Sequence, residues 1–328
     1  MTNTIKDRQD RFAYLDLAKG LCLIFIIIGH IGLIESNYII YYFSFPLFLV
    51  LSGFFSPVTG SYGAFFKNRF LKICAPFLFF YLVSYIFFYI GMYYYPELIK
   101  TEAKGIYDAF NQRQWFNGPI WYLLCLLWTS IWAFLIIKIV QKKWIQSIIV
   151  IIIGCFGAYL GEKYIYLPLM IDVSMTALPF YFFGYLLKNT NILVNRRRTK
   201  SDIVWSIGLF VLVLVLCLLM PNNRVGFHTN TIEGSYLLSI VITIPAVFSV
   251  LMLCRYINTL PFITFFGAFS IVPFSIHHLI YRPLIIFAEP FPEPFRLWIV
   301  AIITVVLCGC LIPLFRNYLP WAIGVRRK

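Results

Sequence analysis

The chain alternates between long apolar runs and short polar segments. Each run is about 17–22 residues long, which is the length that a helix needs to cross roughly 30 Å of hydrocarbon. The runs predict spanning helices over residues 13–34, 39–57, 73–95, 119–139, 145–161, 173–187, 203–220, 235–253, 262–281 and 297–315. The pattern therefore predicts an all-α fold, a polytopic membrane helical bundle of about ten transmembrane helices.

Composition narrows the class of protein further. Of the 328 residues, 61% are hydrophobic and 12% are charged, which excludes an ordinary soluble domain and a disordered chain. No polar stretch is long enough for a separate soluble domain, so we expect residues 1–328 to form one membrane-embedded domain. The first run lacks a small-residue cleavage site, so we expect no removable signal peptide.

The basic residues predict how the chain is oriented in the membrane. With the N-terminus in the cytoplasm, 19 of the 27 Lys and Arg residues fall in cytoplasmic segments and seven in external ones. This asymmetry predicts cytoplasmic N- and C-termini. It also explains the net charge of +14 by topology and contact with anionic membrane lipid, and we expect no nucleic-acid partner.

Two ionisable residues stand inside the first apolar run. Lys19 and His30 are eleven residues apart, which in a helix is a rise of about 16 Å and a rotation of about 20° beyond three full turns. They therefore share one helix face at different depths. Ionisable side chains inside a membrane cost free energy, so their presence there suggests a function. Imidazole is the usual proton-transfer group near neutral pH, although His30 could instead be a packing histidine. Lys19 could pair with Asp16 three residues earlier or extend towards the headgroups.

His277 and His278 lie about 15 residues into the ninth predicted helix, which also starts from the cytoplasm. They should reach the depth of His30, which suggests a shared polar cavity. Three histidines could bind a metal, but no cysteine or carboxylate at ligand spacing joins them, so we expect no metal. The eight cysteines sit in or beside apolar runs and are interpreted as core residues. His228 falls in an external loop and is given no role.

A basic cluster precedes the third predicted helix, with Lys67, Arg69 and Lys72 close together. It could set topology and meet lipid phosphate, or it could hold a cytosolic anionic donor by charge-assisted hydrogen bonds. The chain has no P-loop or dinucleotide fingerprint, so that anion is not expected to be a nucleoside triphosphate or NAD. Trp121 begins the fourth helix, where aromatic residues usually mark the headgroup boundary. The preceding connection, 96–118, is either such a boundary segment or a lid over an outward-facing site.

Six segments in a fixed order resemble the acyltransferase-3 family of membrane acyltransferases. They are Asp16-x-x-Lys19-Gly20 with Gly29-His30, Phe45-Pro46-Leu47-Phe48 through Ser52-Gly53-Phe54, Arg69-x-x-Lys72 with Pro76, Gly118-Pro119-Ile120-Trp121-Tyr122-Leu123, Leu178-Pro179-Phe180 to Gly184, and Ser270 with His277. Lys in place of the family's usual Arg at position 19 resembles the fucose 4-O-acetylase-like branch.

The resemblance implies a multipass O-acyltransferase of a bacterial cytoplasmic membrane. Its members move an acyl group, usually acetyl from acetyl-CoA, to a hydroxyl of a surface glycan, a lipid-linked sugar or a small molecule. By this resemblance Lys19, Arg69 and Lys72 would bind the CoA phosphates. His30 would act as general base or acyl carrier, and His277 would stabilise the oxyanion or position a substrate. Asp16 and Trp121 would support the site.

A transporter or flippase for a glycan or small anion is the competing class. Its basic residues would attract the anion, and its histidines would relay protons. Many transporters contain paired repeats with broken helices, and the sequence has no evident internal repeat, which counts against this class. A non-catalytic membrane subunit is a third possibility.

Overall fold

A computed structural model describes residues 12–33, 38–56, 60–94, 117–188, 190, 192–193, 199–293 and 295–325. The helices are α1 (Ala13–Ile31), α2 (Tyr38–Tyr41), α3 (Ser44–Phe54), α4 (Tyr62–Arg69), α5 (Ala75–Tyr94), α6 (Trp121–Ile139), α7 (Lys143–Glu162), α8 (Ile171–Leu187), α9 (Lys200–Leu219), α10 (Tyr236–Ile257), α11 (Pro261–Ala268), α12 (Ile271–Phe287) and α13 (Phe295–Tyr318). The remaining elements are a π-helical turn (Phe70–Cys74), three 3₁₀ turns (Gly118–Ile120, Pro168–Met170 and Pro320–Ile323), and a hairpin of β1 (Arg224–Gly226) and β2 (Thr231–Glu233).

The fold is an all-α polytopic membrane bundle, as predicted. Across the described part of the chain, eight helical segments are long and apolar enough to cross a membrane, and the count is nine if the bent pair α11–α12 forms one span. These eight segments match eight of the ten predicted runs. The second run forms a shorter apolar segment, Ile39–Phe54. The direction in which the chain crosses the membrane stays a prediction.

The ninth run was predicted as one helix, 262–281, and that prediction is wrong. The structure divides it into α11 and α12, which meet at an angle of 98°. Pro273 explains the position of the break, because its ring would clash with the Phe269 carbonyl four residues earlier and it has no N–H to donate. In the structure Pro273 lies in the first turn of α12, where helix N–H groups have no intrahelical partner anyway.

Glycines allow two pairs of helices to approach backbone to backbone. A Cβ at Gly20 of α1 would lie 2.1 Å from the carbonyl oxygen of Ile263, and one at Gly267 would lie 1.9 Å from that of Asp16. Cβ atoms at Gly53 of α3 and Gly184 of α8 would likewise lie within 1.8 Å of carbonyl oxygens of the opposite helix. Small residues permit such close crossings in membrane bundles, where packing drives helix association.

Helix α1 occupies the centre of the bundle. It packs against α3, α10, α11, α12 and α13. Its side chains Leu15, Leu17, Leu23 and Ile27 are fully buried. The helix ends immediately after His30, because Gly32 adopts a left-handed conformation (φ +88°) and its N–H bonds the Gly29 carbonyl. The central position of α1 therefore puts His30 inside the bundle rather than against lipid.

The β1–β2 hairpin is fastened to the bundle by Asn230 at its turn. The Asn230 amide donates to the Gly157 carbonyl (2.9 Å) and to the Asp172 carboxylate (3.0 Å). The Thr176 hydroxyl donates to the Asn230 side-chain oxygen (2.8 Å). Asn230 is buried with φ +54°, a conformation that Asn tolerates better than most residues. These bonds hold the preceding residues, Phe227 and His228, against the bundle.

Candidate active site

Three histidines meet where the end of α1 faces α12. The ring centroid of His30 lies 5.4 Å from that of His277 and 4.8 Å from that of His278, and the latter two are 5.0 Å apart. One ring nitrogen from each residue can be chosen so that all three lie within 4.8 Å of one another. The structure thus brings together the imidazoles that the sequence assigned to one depth. Their roles stay predictions.

The three imidazoles differ in how they are held. His277 is fully buried, and its Nδ1–H donates to the Pro273 carbonyl (2.8 Å), since a carbonyl oxygen can only accept. That bond fixes the neutral tautomer in which Nε2 is an acceptor. His277 Nε2 and both nitrogens of His278 have no hydrogen-bond partner among the described residues. His278 is 5% exposed, whereas His30 is exposed to a cavity.

Asn117 and Gly118 position the histidine-bearing helix. The Asn117 amide donates to the Ser275 carbonyl of α12 (2.6 Å) and to the Ser84 hydroxyl of α5 (3.0 Å). A Cβ at Gly118 would lie 2.8 Å from Cε1 of His278, so the ring packs directly against the glycine. The sequence reading assigned no role to Asn117. The sequence shows only a polar residue before an apolar run, and the structure buries its side chain to 1% exposure.

An apolar cavity of about 390 Å³ opens beside His30 and His278. Its wall is aromatic: the Phe45 ring lies 5.1 Å from Trp121 and 4.6 Å from Phe227. Trp121, predicted as a supporting residue, lines this cavity. We call this space, with His30 at its margin, the aromatic cavity.

His228 also lines the aromatic cavity, with its ring 5.5 Å from that of Trp121. The sequence reading gave this residue no role because it stands in a loop. Only the hairpin contacts that fasten β1–β2 to the bundle bring it to the site. Residues 95–116, which carry most of the proposed lid, lie outside the described residues.

A second cavity, of about 310 Å³, contains all three cations that the sequence linked to a donor. Lys19, Arg69 and Lys72 line it, together with the polar side chains of Asn68 and Ser270. We call this space the basic cavity. Lys67, the other member of the sequence cluster, is exposed and is not among its lining residues.

The three cations of the basic cavity are not equally free. Lys19 is paired with Asp16, with 2.6 Å between Nζ and the carboxylate oxygen. Lys72 is exposed and is the most accessible of the three.

Arg69 is the most constrained of these cations, at 7% exposed. Its Nη2 donates to the Ser56 hydroxyl (3.0 Å) and the Tyr181 hydroxyl (3.3 Å), and its guanidinium stacks 5.0 Å from the Phe65 ring centre. Arg69 therefore ties α4 to α8 and to the residues that follow α3, as well as lining the cavity. Its role in binding a donor stays a prediction.

Tyr122 and Phe274 line both cavities and separate them. Their ring centroids are 5.2 Å apart. We call this pair the aromatic partition. Ser270, at the break between α11 and α12, lies on the basic side, and His278 lies on the aromatic side. One short stretch of chain thus contributes to both cavities.

One of three comparisons with known proteins identifies the family of this chain. Searches of curated proteins and of solved structures give no significant match. The family model for the acyltransferase domain, Acyl_transf_3, matches residues 12–314, nearly the whole chain, and the fucose 4-O-acetylase-like branch stays a prediction. The chain therefore belongs to the acyltransferase-3 family and is a multi-pass membrane acyltransferase.

Proposed function

We propose that this protein transfers an acyl group, specifically acetyl, from cytosolic acyl-CoA to a hydroxyl of a cell-surface polysaccharide or lipid-linked sugar. The observation that carries the proposal is the pair of cavities on either side of the aromatic partition. One is lined by cations and the other by aromatic rings beside His30. This arrangement suits a two-substrate transfer, because donor and acceptor can be held in reacting geometry from different directions.

The basic cavity suits a CoA donor. Phosphate groups bind Lys and Arg by charge-assisted hydrogen bonds, and Lys72 is accessible for such contacts. The basic-residue asymmetry of the sequence supports a cytoplasmic opening, on the side where acyl-CoA is made. Lys19 and His30 are separated by about 16 Å along α1, a distance that an extended pantetheine arm can bridge.

The aromatic cavity suits a sugar acceptor. Trp121, Phe45 and Phe227 offer apolar ring faces against which the C–H groups of a pyranose can pack. A few polar groups among apolar walls, here His30, His228 and Ser44, are typical of sites that orient a small ligand. We assign the acceptor to this cavity, in the cell envelope of a bacterium, with the enzyme in the cytoplasmic membrane.

His30 is the proposed general base. It takes the proton of the acceptor hydroxyl as the hydroxyl oxygen attacks the thioester carbonyl carbon. The tetrahedral intermediate then expels the CoA thiolate, which receives the proton from the imidazolium. In the alternative, His30 carries the acyl group transiently on a ring nitrogen and passes it to the acceptor in a second step.

The other two histidines suit different supporting roles. His277 can only accept at Nε2, because its Nδ1–H is held by the Pro273 carbonyl. It is therefore suited to accept a hydrogen bond from an N–H of His30. It is not suited to stabilise an oxyanion, which is one of the two roles that the sequence analysis suggested for it. His278 has both nitrogens without a partner among the described residues, so one of them is free to donate to the oxyanion.

The direct test is acyl transfer by the purified protein in lipid nanodiscs. Labelled acetyl-CoA and a lipid-linked glycan fraction are supplied, and labelled glycan is measured for wild type, His30→Ala and Lys142→Ala. Lys142 is an exposed residue outside both cavities and serves as the control. We expect His30→Ala to lose about 10²–10⁴-fold in rate and the control to keep the wild-type rate.

Full activity of His30→Ala would overturn the role of His30. Movement of the glycan across the bilayer without acetylation would favour the transporter class instead. Label that stays on denatured wild-type protein but not on His30→Ala would select the acyl-carrier form of the mechanism.

A further inference from the structure

We propose that His30, His277 and His278 form a binding site for a divalent transition metal ion such as Zn²⁺, and that the bound ion blocks acyl transfer. The metal site is argued from the histidine cluster alone. Its inhibitory effect rests on the proposed function, because it requires that His30 act through a free ring nitrogen. In this proposal the ion is an inhibitor and not a cofactor.

The spacing of the cluster is close to that of a zinc site. Zn–N distances of about 2.0–2.1 Å put two tetrahedral ligand nitrogens about 3.4 Å apart. The three ligand atoms here lie within 4.8 Å of one another before any ion is added. Each nitrogen then needs to move inward by less than about 1 Å. Neither ring nitrogen of His278 would have to give up a hydrogen bond to a described residue in such a movement.

The hydrogen bonding of the His277 and His278 ring nitrogens also suits a metal ion. The Nδ1–H of His277 donates to a backbone carbonyl, which leaves the Nε2 lone pair available. Metal-binding histidines almost always donate their other N–H in this way, and that bond fixes the tautomer and the ring orientation. His277 and His278 are 0% and 5% exposed, yet their remaining nitrogens have no partner among the described residues. Buried polar atoms of this kind are costly unless something binds them.

The surroundings give the ion a route and an open position. His30 and His278 line the aromatic cavity, so a hydrated ion can reach the cluster through it. Three protein ligands with a fourth position open to water or substrate are the usual arrangement of zinc sites that exchange ligands. The sequence argument against a metal was the lack of a cysteine or carboxylate at ligand spacing. Three imidazoles from two helices meet the requirement without either.

The consequence for the proposed reaction is direct. A metal ion on His30 occupies the lone pair that would take the proton of the acceptor hydroxyl. The ion would also stand between His30 and His278, where the tetrahedral intermediate would form. Binding of the ion and acyl transfer are therefore mutually exclusive, and removal of the ion by a chelator restores activity.

The first experiment measures binding without any acyl substrate. Purified protein in nanodiscs is stripped with a chelator and titrated with Zn²⁺ by calorimetry, and bound zinc is counted by mass spectrometry. We expect one high-affinity ion per chain and at least a tenfold weaker affinity in His277→Ala and in His278→Ala. The matched control is His228→Ala, because His228 lines the same cavity but lies outside the cluster. No binding, or an equal loss in the control, would overturn the site.

A second measurement needs no variant and so survives a variant that fails to fold. Co²⁺ is added to wild-type protein, and the visible ligand-field absorption is recorded. Binding by three imidazoles should give intense bands that stoichiometric Zn²⁺ abolishes. The spectrum of hexaaquo Co²⁺ alone would contradict the proposal.

The inhibitory half is tested on wild-type acyl transfer. We expect Zn²⁺ to inhibit over the same concentration range in which it binds, and a chelator to restore the rate. If zinc binds without inhibiting, the proposed inhibition is wrong and the proposed metal site stands. If the protein binds zinc but transfers no acyl group, the proposed function is wrong and the proposed metal site stands.

Discussion

A single methyl group at Gly118 should slow acyl transfer without unfolding the protein. In Gly118→Ala the new Cβ would lie 2.8 Å from Cε1 of His278. Two carbon atoms prefer a separation of about 3.5–4.0 Å, so the ring has to move by about 0.7–1.2 Å. Both ring nitrogens of His278 lack a hydrogen-bond partner among the described residues, so we expect the ring to move and the backbone to stay in place.

A displacement of about 1 Å in a catalytic group can cost 10²-fold in rate, so we expect kcat to fall between tenfold and 10²-fold. The free energy of unfolding should fall by no more than about 1–3 kcal/mol, because the new Cβ meets the outer edge of a side chain rather than backbone. The assays are acyl transfer with labelled acetyl-CoA and the thermal midpoint of unfolding, measured on the same nanodisc preparation. Gly208→Ala is the matched control, since a Cβ at that exposed helical position meets nothing within 4 Å.

Two results would refute this reasoning. Wild-type kcat in Gly118→Ala would mean that the position of His278 does not matter to the reaction. A loss of activity that follows an equal loss of folded protein would mean that Gly118 serves packing only. Gly208→Ala should keep both the rate and the stability of wild type, because alanine is at least as good a helix former as glycine.

The remaining predictions concern the donor, the helix crossing and the topology. Lys72→Ala should raise the KM for acetyl-CoA by roughly three- to tenfold in steady-state kinetics and leave the KM for the acceptor unchanged. The control Lys142→Ala should change neither KM. Equal effects of Lys72→Ala on both KM values would contradict the donor assignment. Gly20→Ala puts a Cβ 2.1 Å from a backbone carbonyl oxygen of α11, so we expect a loss of at least about 1–3 kcal/mol, seen as a lower thermal midpoint. Lys142 and Lys163 flank the two ends of α7. In a background without reactive cysteines, Lys142→Cys should therefore be labelled only from the cytoplasm and Lys163→Cys only from outside. The reverse pattern would invert the topology.

The membrane-spanning helices could be predicted because crossing the hydrocarbon core requires an apolar run of a fixed length, and such runs can be read from the sequence. The break in the ninth span was less visible, although its cause is local. Pro273 stands inside an apolar run, and hydropathy alone treats that run as one helix. The direction of the bend depends on where Gly267 meets the backbone of α1, which is a tertiary contact between residues more than 200 positions apart.

The sequence predicted that the histidines would meet, but its reason was incomplete. It counted about 15 residues to His277 along a straight ninth helix, whereas the 98° break between α11 and α12 means that this count does not give a depth. His228 reaches the site through a hairpin whose position is set by Asn230 and by its contacts with α7 and α8. Asn117 acts through the Ser275 carbonyl, and no periodicity in the sequence marks such a bond.

The basic cluster illustrates the limit of spacing arguments. Arg69 and Lys72 are three residues apart, and the sequence treats them as equivalent cations. In the structure Arg69 is bound to Ser56 and Tyr181, whereas Lys72 is exposed. Reversing the charge at Arg69 would therefore bury an unpaired carboxylate and test folding more than donor binding. Lys72 is the residue at which the donor hypothesis can be separated from stability.

Helix α12 connects the two halves of the proposed reaction. Ser270 is its N-cap residue and His278 lies eight residues further along the same axis, a rise of about 12 Å. The helix therefore runs from the basic cavity, which Ser270 lines, to the aromatic cavity, which His278 lines, with Phe274 between them in the partition. In the proposed function the thioester passes Phe274 and Tyr122 to reach His30, so these two rings would have to move aside during transfer.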